Sequence, residues 1–292
     1  MLTSVISVQV GAALAARMFG QVTPAAMTGL RLWTAAVVTA VFGAPGLVRA
    51  VRGLARERAW QDTAVVAAFG VTLGIMNFSI YQSMARVPLG IAVTIEFLGP
   101  LAVAVASSRR LADLAWVALA GAGVALLSNG WASLSPGHGT GSRATSTVVT
   151  GVVFALIAAA CWAAYILLSR ATGRRFTGGS GLAIAMVIAA VVVTPAAAAG
   201  SAGHESLLRP AVLATGVAAG LLSSVIPYRV ELEALRRIPA RIFGILMSIE
   251  PAVAALAGLV LLGQSLSVRE WGAIGCVIAA CAGASRGARQ PS

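Results

Sequence analysis

Apolar residues run along the chain in long blocks, each about the 20 residues a helix needs to cross a hydrocarbon layer. Short stretches rich in Arg, Gly, Pro and Ser separate them. Ten blocks are legible, at 3–20, 25–47, 63–84, 88–107, 111–130, 148–169, 180–200, 210–228, 239–262 and 268–286. The pattern predicts an all-α integral membrane protein of ten transmembrane helices. The first block has no basic residue ahead of its apolar part, so it is expected to be a retained helix and not a secretory signal. The longest polar stretch, Trp131 to Thr147, holds Ser, Gly and Pro and predicts a flexible connector. Helices 1–5 then fall in residues 1–132, an external connector in 133–147, helices 6–10 in 148–288 and a cytoplasmic tail in 289–292.

Composition agrees with a lipid solvent and not with water: of 292 residues 59% are hydrophobic and 10% charged, and the mean hydropathy is +0.91. The 21 basic residues are all Arg, and the net charge is +12. They sit singly or in short clusters between apolar blocks and form no basic face, which argues against a nucleic-acid partner. Their distribution sets orientation instead, because basic loops stay on the cytoplasmic side. With both termini cytoplasmic, the inner segments hold Arg49, Arg52, Arg56, Arg58, Arg109, Arg110, Arg170, Arg174, Arg175, Arg229, Arg236, Arg237, Arg241, Arg286 and Arg289. The outer loops hold Arg86, Arg143, Arg209 and Arg269. The expected location is the cytoplasmic (inner) membrane, crossed many times.

The two halves carry a related pattern at one constant offset. Val87-Pro88 falls on Ile238-Pro239, Ile91 on Ile242, Ile95 on Leu246, Leu98 on Ile249, Pro100 on Pro251 and Ala104 on Ala255. The preceding helices share Gly70-x-x-x-Gly74 and Gly216-x-x-x-Gly220, a spacing that lets helices approach closely in lipid. Five helices is an odd number, so a second copy must enter the membrane from the opposite side. Inverted repeats of this kind are characteristic of secondary transporters, whose halves rock about a site near the midplane.

Ionisable groups in hydrocarbon are costly and mark candidate pathways. Glu96 and Glu250 fall near the middle of helices 4 and 9, and Arg17 and Arg31 in the outer parts of helices 1 and 2. In the repeat frame Glu250 lies on Gly99, close to one turn from Glu96, which places both carboxylates toward the pseudo-symmetry axis. Pro100 and Pro251 cannot donate to the carbonyls of Glu96 and Met247, so both helices are expected to break there, where transporters expose backbone polar groups to a ligand. Pro88 and Pro239 read as helix starters. A carboxylate in a poorly hydrated pocket binds a proton more tightly, and an approaching cation displaces it, so the glutamates are candidates for proton exchange. The alternative is a static pairing with Arg17 and Arg31. Asn77, Tyr81, Trp162, Tyr165, Tyr228 and Ser248 complete the candidate substrate and proton pathway.

No Gly-x-x-x-x-Gly-Lys-Ser/Thr loop is present to hold a nucleotide. The aspartates, Asp62 and Asp113, are isolated near span ends, and Cys161, Cys276 and Cys281 lack CxxC spacing or a nearby His. The chain therefore reads as a transporter, not an enzyme, with no cofactor and no metal, whose partners are a small-molecule substrate, protons and the bilayer.

Long stretches of the chain resemble the drug/metabolite transporter superfamily with tandem EamA domains, and within it the threonine/homoserine exporter branch. These are Ser7–Ala16, Val87–Ala104 with Ser107–Arg110, Ala160–Leu168 and Phe243–Pro251. The resemblance spans nearly the whole chain. It implies two inverted five-helix EamA units and proton-driven export of small neutral amino acids, with Arg31 and Arg17 as candidates for meeting a substrate carboxylate. Exporters of this branch tend to carry Lys in helix 1; Arg17 keeps the charge but does not release a proton. A drug or other metabolite exporter on the same scaffold, or a lipid-linked sugar flippase, is the alternative.

Overall fold

The computed structural model describes residues 2–56, 60–107, 114–128, 142–176, 179–201, 209–227, 230 and 245–287, and the described elements are helical. In chain order they are α1 (Leu2–Arg17), continued by a 3-10 turn Met18–Gly20, α2 (Pro24–Arg56), α3 (Trp60–Met84), α4 (Leu89–Glu96), α5 (Leu98–Ala106), α6 (Leu114–Ser128), α7 (Ser142–Arg175), α8 (Ser180–Ser201), α9 (Pro210–Gly220), continued by a π turn Leu221–Val225, α10 (Glu250–Leu262) and α11 (Val268–Gly287). Among the described residues seven helical segments are long and apolar enough to cross a membrane, and Leu114–Val124 and Pro210–Val225 are shorter apolar helices.

Two of the ten apolar blocks are not single helices. The block at 88–107 divides at Phe97 into α4 and α5, and the block at 239–262, described from Ile245, has a turn at Ser248 and Ile249 before α10 opens. The prolines sit just past these breaks, Pro100 as the third residue of α5 and Pro251 in the first turn of α10. That position tolerates a residue with no amide hydrogen. Pro251 thus opens α10 directly after the turn at Ser248 and Ile249, within the region where the sequence pattern predicts an interruption. Pro88 precedes α4 with an extended ψ of 143°, as a helix starter should. Pro239 lies outside the described residues. Two other helices outrun their blocks: α2 continues to Arg56, and α7 begins at Ser142, inside the stretch that reads as a connector.

The helices pair in a regular scheme. α2 lies along α8, α6 along α11 and α4 along α10; α3 packs on α7 and α8, α9 on α1 and α2, α10 on α1, and α7 on α4 and α5. Two hydrophobic clusters fill the interior, one centred on α4 with α1, α10 and α11, the other between α2, α3 and α8.

In lipid no hydrophobic force draws helices together, so contact depends on close van der Waals fit at small residues. Both Gly-x-x-x-Gly motifs are used this way, since Cβ atoms there would collide with a neighbouring helix. At Gly70 one would lie 2.6 Å from Ile188 and at Gly74 3.1 Å from the Ala189 carbonyl, both on α8; at Gly216 it would lie 2.9 Å from Leu30 and at Gly220 3.0 Å from the Arg31 carbonyl, both on α2. Gly90 is tighter in its consequences, because a Cβ would sit 2.7 Å from the Ala255 Cα of α10 and meet backbone that has no room to yield. Gly90→Leu is expected to lower the stability of detergent-solubilised protein by about 1–3 kcal/mol. Gly121, where an added Cβ would meet nothing within 4 Å among the described residues, should accept Ala with no loss. Melting curves of both variants, followed by gel-filtration fluorescence, check the contrast, and equal stabilities would contradict it.

Candidate functional site

The break in the fourth block puts a carboxylate at the end of a buried helix. Every residue of α4 is buried, and Glu96 is its last. The corresponding break puts Glu250 at the first position of α10. Gly90 meeting Ala255, and the Leu89 amide donating to Gln264 Oε1 at 2.9 Å beyond the far end of α10, make α4 and α10 antiparallel, so the end of one and the start of the other lie at the same level. Glu96 is 9% exposed and Glu250 5%, and the charges of Glu250 and Arg31 both act on Glu96. The helix dipoles differ at the two carboxylates: Glu250 lies at the positive end of α10 and Glu96 at the negative end of α4.

α1 supplies a neutral partner to this site. Gln9, 2% exposed, donates its Nε2 hydrogen to Glu250 Oε1 at 2.8 Å, across 241 positions of chain. Two residues earlier, Ser7 Oγ donates to the carbonyl of Leu222 at 2.6 Å. A Cβ on Gly11 would lie 3.2 Å from the Ser223 amide nitrogen, so α1 runs close against the π turn. Ser223 and Ser224 lie within this turn. A π turn takes carbonyls out of the regular ladder, and in a dry interior they need other donors. Ser7 serves Leu222, and Arg31 serves Ser223 through a 3.2 Å bond to its carbonyl.

Arg31 is held from two sides. Its guanidinium carbon lies 5.3 Å from the centre of the Tyr81 ring, a cation–π distance, while one NH2 group faces the π turn. Phe19 packs on the same ring with centroids 5.9 Å apart. Arg31 Nε and the Tyr81 hydroxyl, both buried, have no hydrogen-bond partner among the described residues. They are two donors on adjacent groups, suited to an acceptor such as a carboxylate. Asn77, one turn from Tyr81, donates to the Leu73 carbonyl of its own helix at 2.8 Å.

The remaining candidates divide by position. Trp162 on α7 stands edge-on to Phe97, the residue at the α4–α5 break, with centroids 4.8 Å apart, and the field of Glu96 reaches neighbouring Cys161. Ser248, 3% exposed, lies in the break before α10 and donates to the Ile245 carbonyl at 2.6 Å. Tyr165 packs on Phe69 instead, with centroids 5.3 Å apart, beside the α2–α3–α8 cluster. Tyr228 lies outside the described residues.

Arg17 is separate from this group. Its Nε donates to the Leu261 carbonyl at 2.7 Å, joining the C-terminal ends of α1 and α10. It lines an open cleft of about 640 Å³ with Met84, Leu261, Gly263 and Gln264. Gly263 closes α10 in the left-handed conformation at φ 67°, which glycine adopts without steric cost. Arg17 and Arg31 thus each donate to a backbone carbonyl. The ion pair formed among the described residues, Arg175 with Asp62 at 2.8 Å, involves neither.

Comparison with known proteins places this geometry. Residues 149–286 match the EamA-like transporter family. Over all 292 residues the chain is 38% identical to the threonine/homoserine exporter RhtA of Escherichia coli (strain K12), covering 92% of that protein. Over 285 residues, 98% of this chain and 90% of the relative, it is 37% identical to RhtA of Salmonella typhimurium (strain SL1344). An uncharacterized transporter of Bacillus subtilis (strain 168), YwfM, is 30% identical over 123 residues, 42% of this chain and 41% of its own. A solved crystal structure shares the fold with a TM-score of 0.61 at 21% identity, over 96% of this chain and 94% of that one. The chain belongs to the EamA-like transporters of the drug/metabolite transporter superfamily, and is a multi-pass membrane transporter.

Proposed function

We propose that the chain exports small neutral amino acids of the threonine and homoserine type across the cytoplasmic membrane in exchange for protons. The observation that carries this reading is the pair of buried glutamates at the facing ends of α4 and α10, with Arg31 acting on the same site. A zwitterionic amino acid presents an ammonium and a carboxylate. The glutamates match the first, and Arg31 with the Tyr81 hydroxyl matches the second. Exchange follows from charge, because a carboxylate that gives up a proton can receive the ammonium, and reprotonation releases it. Full-length similarity to threonine/homoserine exporters supports the substrate class.

The scaffold proposed is ten helices in two inverted five-helix units. α4 with α5 counts as the fourth span, and the segment ending in α10 as the ninth. Exchanging the halves then maps most of the helix pairings onto one another, while the packing of the second span on the third has no counterpart of like extent between the seventh and eighth among the described residues. The second span lies on the seventh, the fourth on the ninth and the fifth on the tenth. The third packs on the sixth and seventh as the eighth packs on the first and second, and the first packs on the ninth as the sixth packs on the fourth. The two Gly-x-x-x-Gly motifs obey the same exchange. The arginine distribution supports cytoplasmic termini, and with that orientation the cleft beside Arg17 faces outward. Arg17 then fastens the outer ends of α1 and α10, and Arg31 is the carboxylate partner.

Proteoliposomes containing the purified protein should accumulate labelled threonine and homoserine when a proton gradient is imposed, and should not without it. Folded protein with no such uptake would remove the amino-acid assignment. Glu96→Gln is expected to abolish gradient-driven uptake while normal amounts of protein remain in the membrane; unchanged uptake would take Glu96 out of the mechanism. Arg31→Met should raise KM for threonine on the order of tenfold or more, as expected for losing a charged hydrogen bond to the ligand. Arg17→Gln should leave KM near its original value. Initial-rate measurements on the two variants compare the roles, and equal KM effects would contradict the separation.

A further inference from the structure

We infer that Gln9 is the positioning residue of Glu250, and that its amide serves the carboxyl group in both protonation states by exchanging donor for acceptor. The inference rests on the proton-exchange reading above.

The geometry has three parts. Gln9 is 2% exposed and Glu250 5%, so neither group has bulk water to complete its bonding. Nε2 of Gln9 donates to Glu250 Oε1 at 2.8 Å, a bond that suits a carboxylate. Oε1 of Gln9, also buried, meets no donor among the described residues. A buried carbonyl without a donor needs a physical reason to persist. Adding a proton to Glu250 supplies one, because the new O–H has an acceptor in Gln9 Oε1 once the amide turns over. The terminal torsion of Gln is broad and nearly two-fold, so the turn needs no backbone movement. The proton arrives from water and leaves to water, Glu250 changes between carboxylate and acid, and Gln9 stays neutral throughout.

Other long side chains do not offer this. Met has the length but neither donor nor acceptor; Glu adds a second charge; Arg or Lys could only donate. The surroundings show why the task falls to α1. Among the elements packed on α10, α4 brings Glu96, and α11 brings Cys276 and Cys281, with Arg269 and Glu270 in its first turn; α1 brings Gln9 and, at its far end, Arg17, which is bonded to the Leu261 carbonyl. Arg31 of α2 acts on Glu96. Gln9 is the neutral amide of this set, able to hold Glu250 without fixing its charge.

The test uses infrared difference spectra of the full-length protein in lipid, titrated over the pH range in which it stays folded. The protonated-carboxyl stretch of Glu250 is identified by its loss in Glu250→Gln. Gln9→Met should move this band to higher frequency, as expected for an acid without its acceptor, and displace its titration midpoint. Gradient-driven threonine uptake should fall on the order of tenfold. Gln9→Glu should preserve a hydrogen-bonded pair and add one proton to the titration, which carries the test if the Met variant does not fold. A Glu250 band and midpoint unchanged in either folded variant would overturn the inference, as would a Glu250 that never protonates in the native protein. The band is read without substrate, so absence of threonine transport alongside a shifted band would remove the substrate assignment and leave the role of Gln9 standing.

Discussion

A helix interrupted inside an apolar bundle frees backbone carbonyls and amides that water cannot reach, and each needs a partner from another helix. This requirement organises the interior. The chain is interrupted at Phe97, at Ser248 and Ile249, and along the π turn Leu221–Val225. The polar contacts of the candidate site gather at these places: Ser7 and Arg31 on the π-turn carbonyls, and Gln9 on the glutamate that opens α10. Interruption and candidate site are one feature, since the groups that satisfy the interrupted backbone belong to the candidate site.

Close approach makes those bonds geometrically possible. A bond of 2.6 Å from the short Ser7 side chain to the Leu222 backbone of another helix needs axes nearer than large side chains permit, and glycine at the crossings provides that spacing. Gly11 brings α1 onto the π turn, Gly90 brings α4 onto α10, and Gly220 brings the end of α9 onto the turn of α2 that carries Arg31. Arg31 can then lie on the Tyr81 ring while one of its amino groups faces the π-turn carbonyl. The cost of removing charge from water is offset by several partial interactions, among them a helix terminus, a ring face, a carbonyl and an amide.

Much of this was legible in the sequence because lipid imposes simple rules. Long apolar blocks marked the helices, and the glutamates stood out because charge is rare inside such blocks. The paired prolines pointed to the regions of both breaks. Their exact roles were less legible, since a proline in the first turn after a break and one inside a continuous helix leave the same local pattern. Gln9 was hidden for a different reason: a neutral amide among Val, Gly and Ala raises no charge signal, and its partner lies 241 positions away. The π turn was hidden as well, because Leu, Ser and Val across 221–225 fit an ordinary helix, and the donors that reach its carbonyls among the described residues, Ser7 and Arg31, come from other helices. Arg17 and Arg31 looked alike as isolated charges, and only their surroundings separate a fastening between helix ends from a site residue.

The central claim is that Glu96 and Glu250 form one buried carboxyl site for proton and substrate. Reaction with an apolar carbodiimide, which modifies protonated carboxyls in dry surroundings, followed by mass spectrometry of the peptides, tests it directly. The account predicts adducts on Glu96 or Glu250 that threonine and homoserine suppress together. Adducts confined to other carboxylates, or adducts on these two that substrate leaves unchanged, would contradict it.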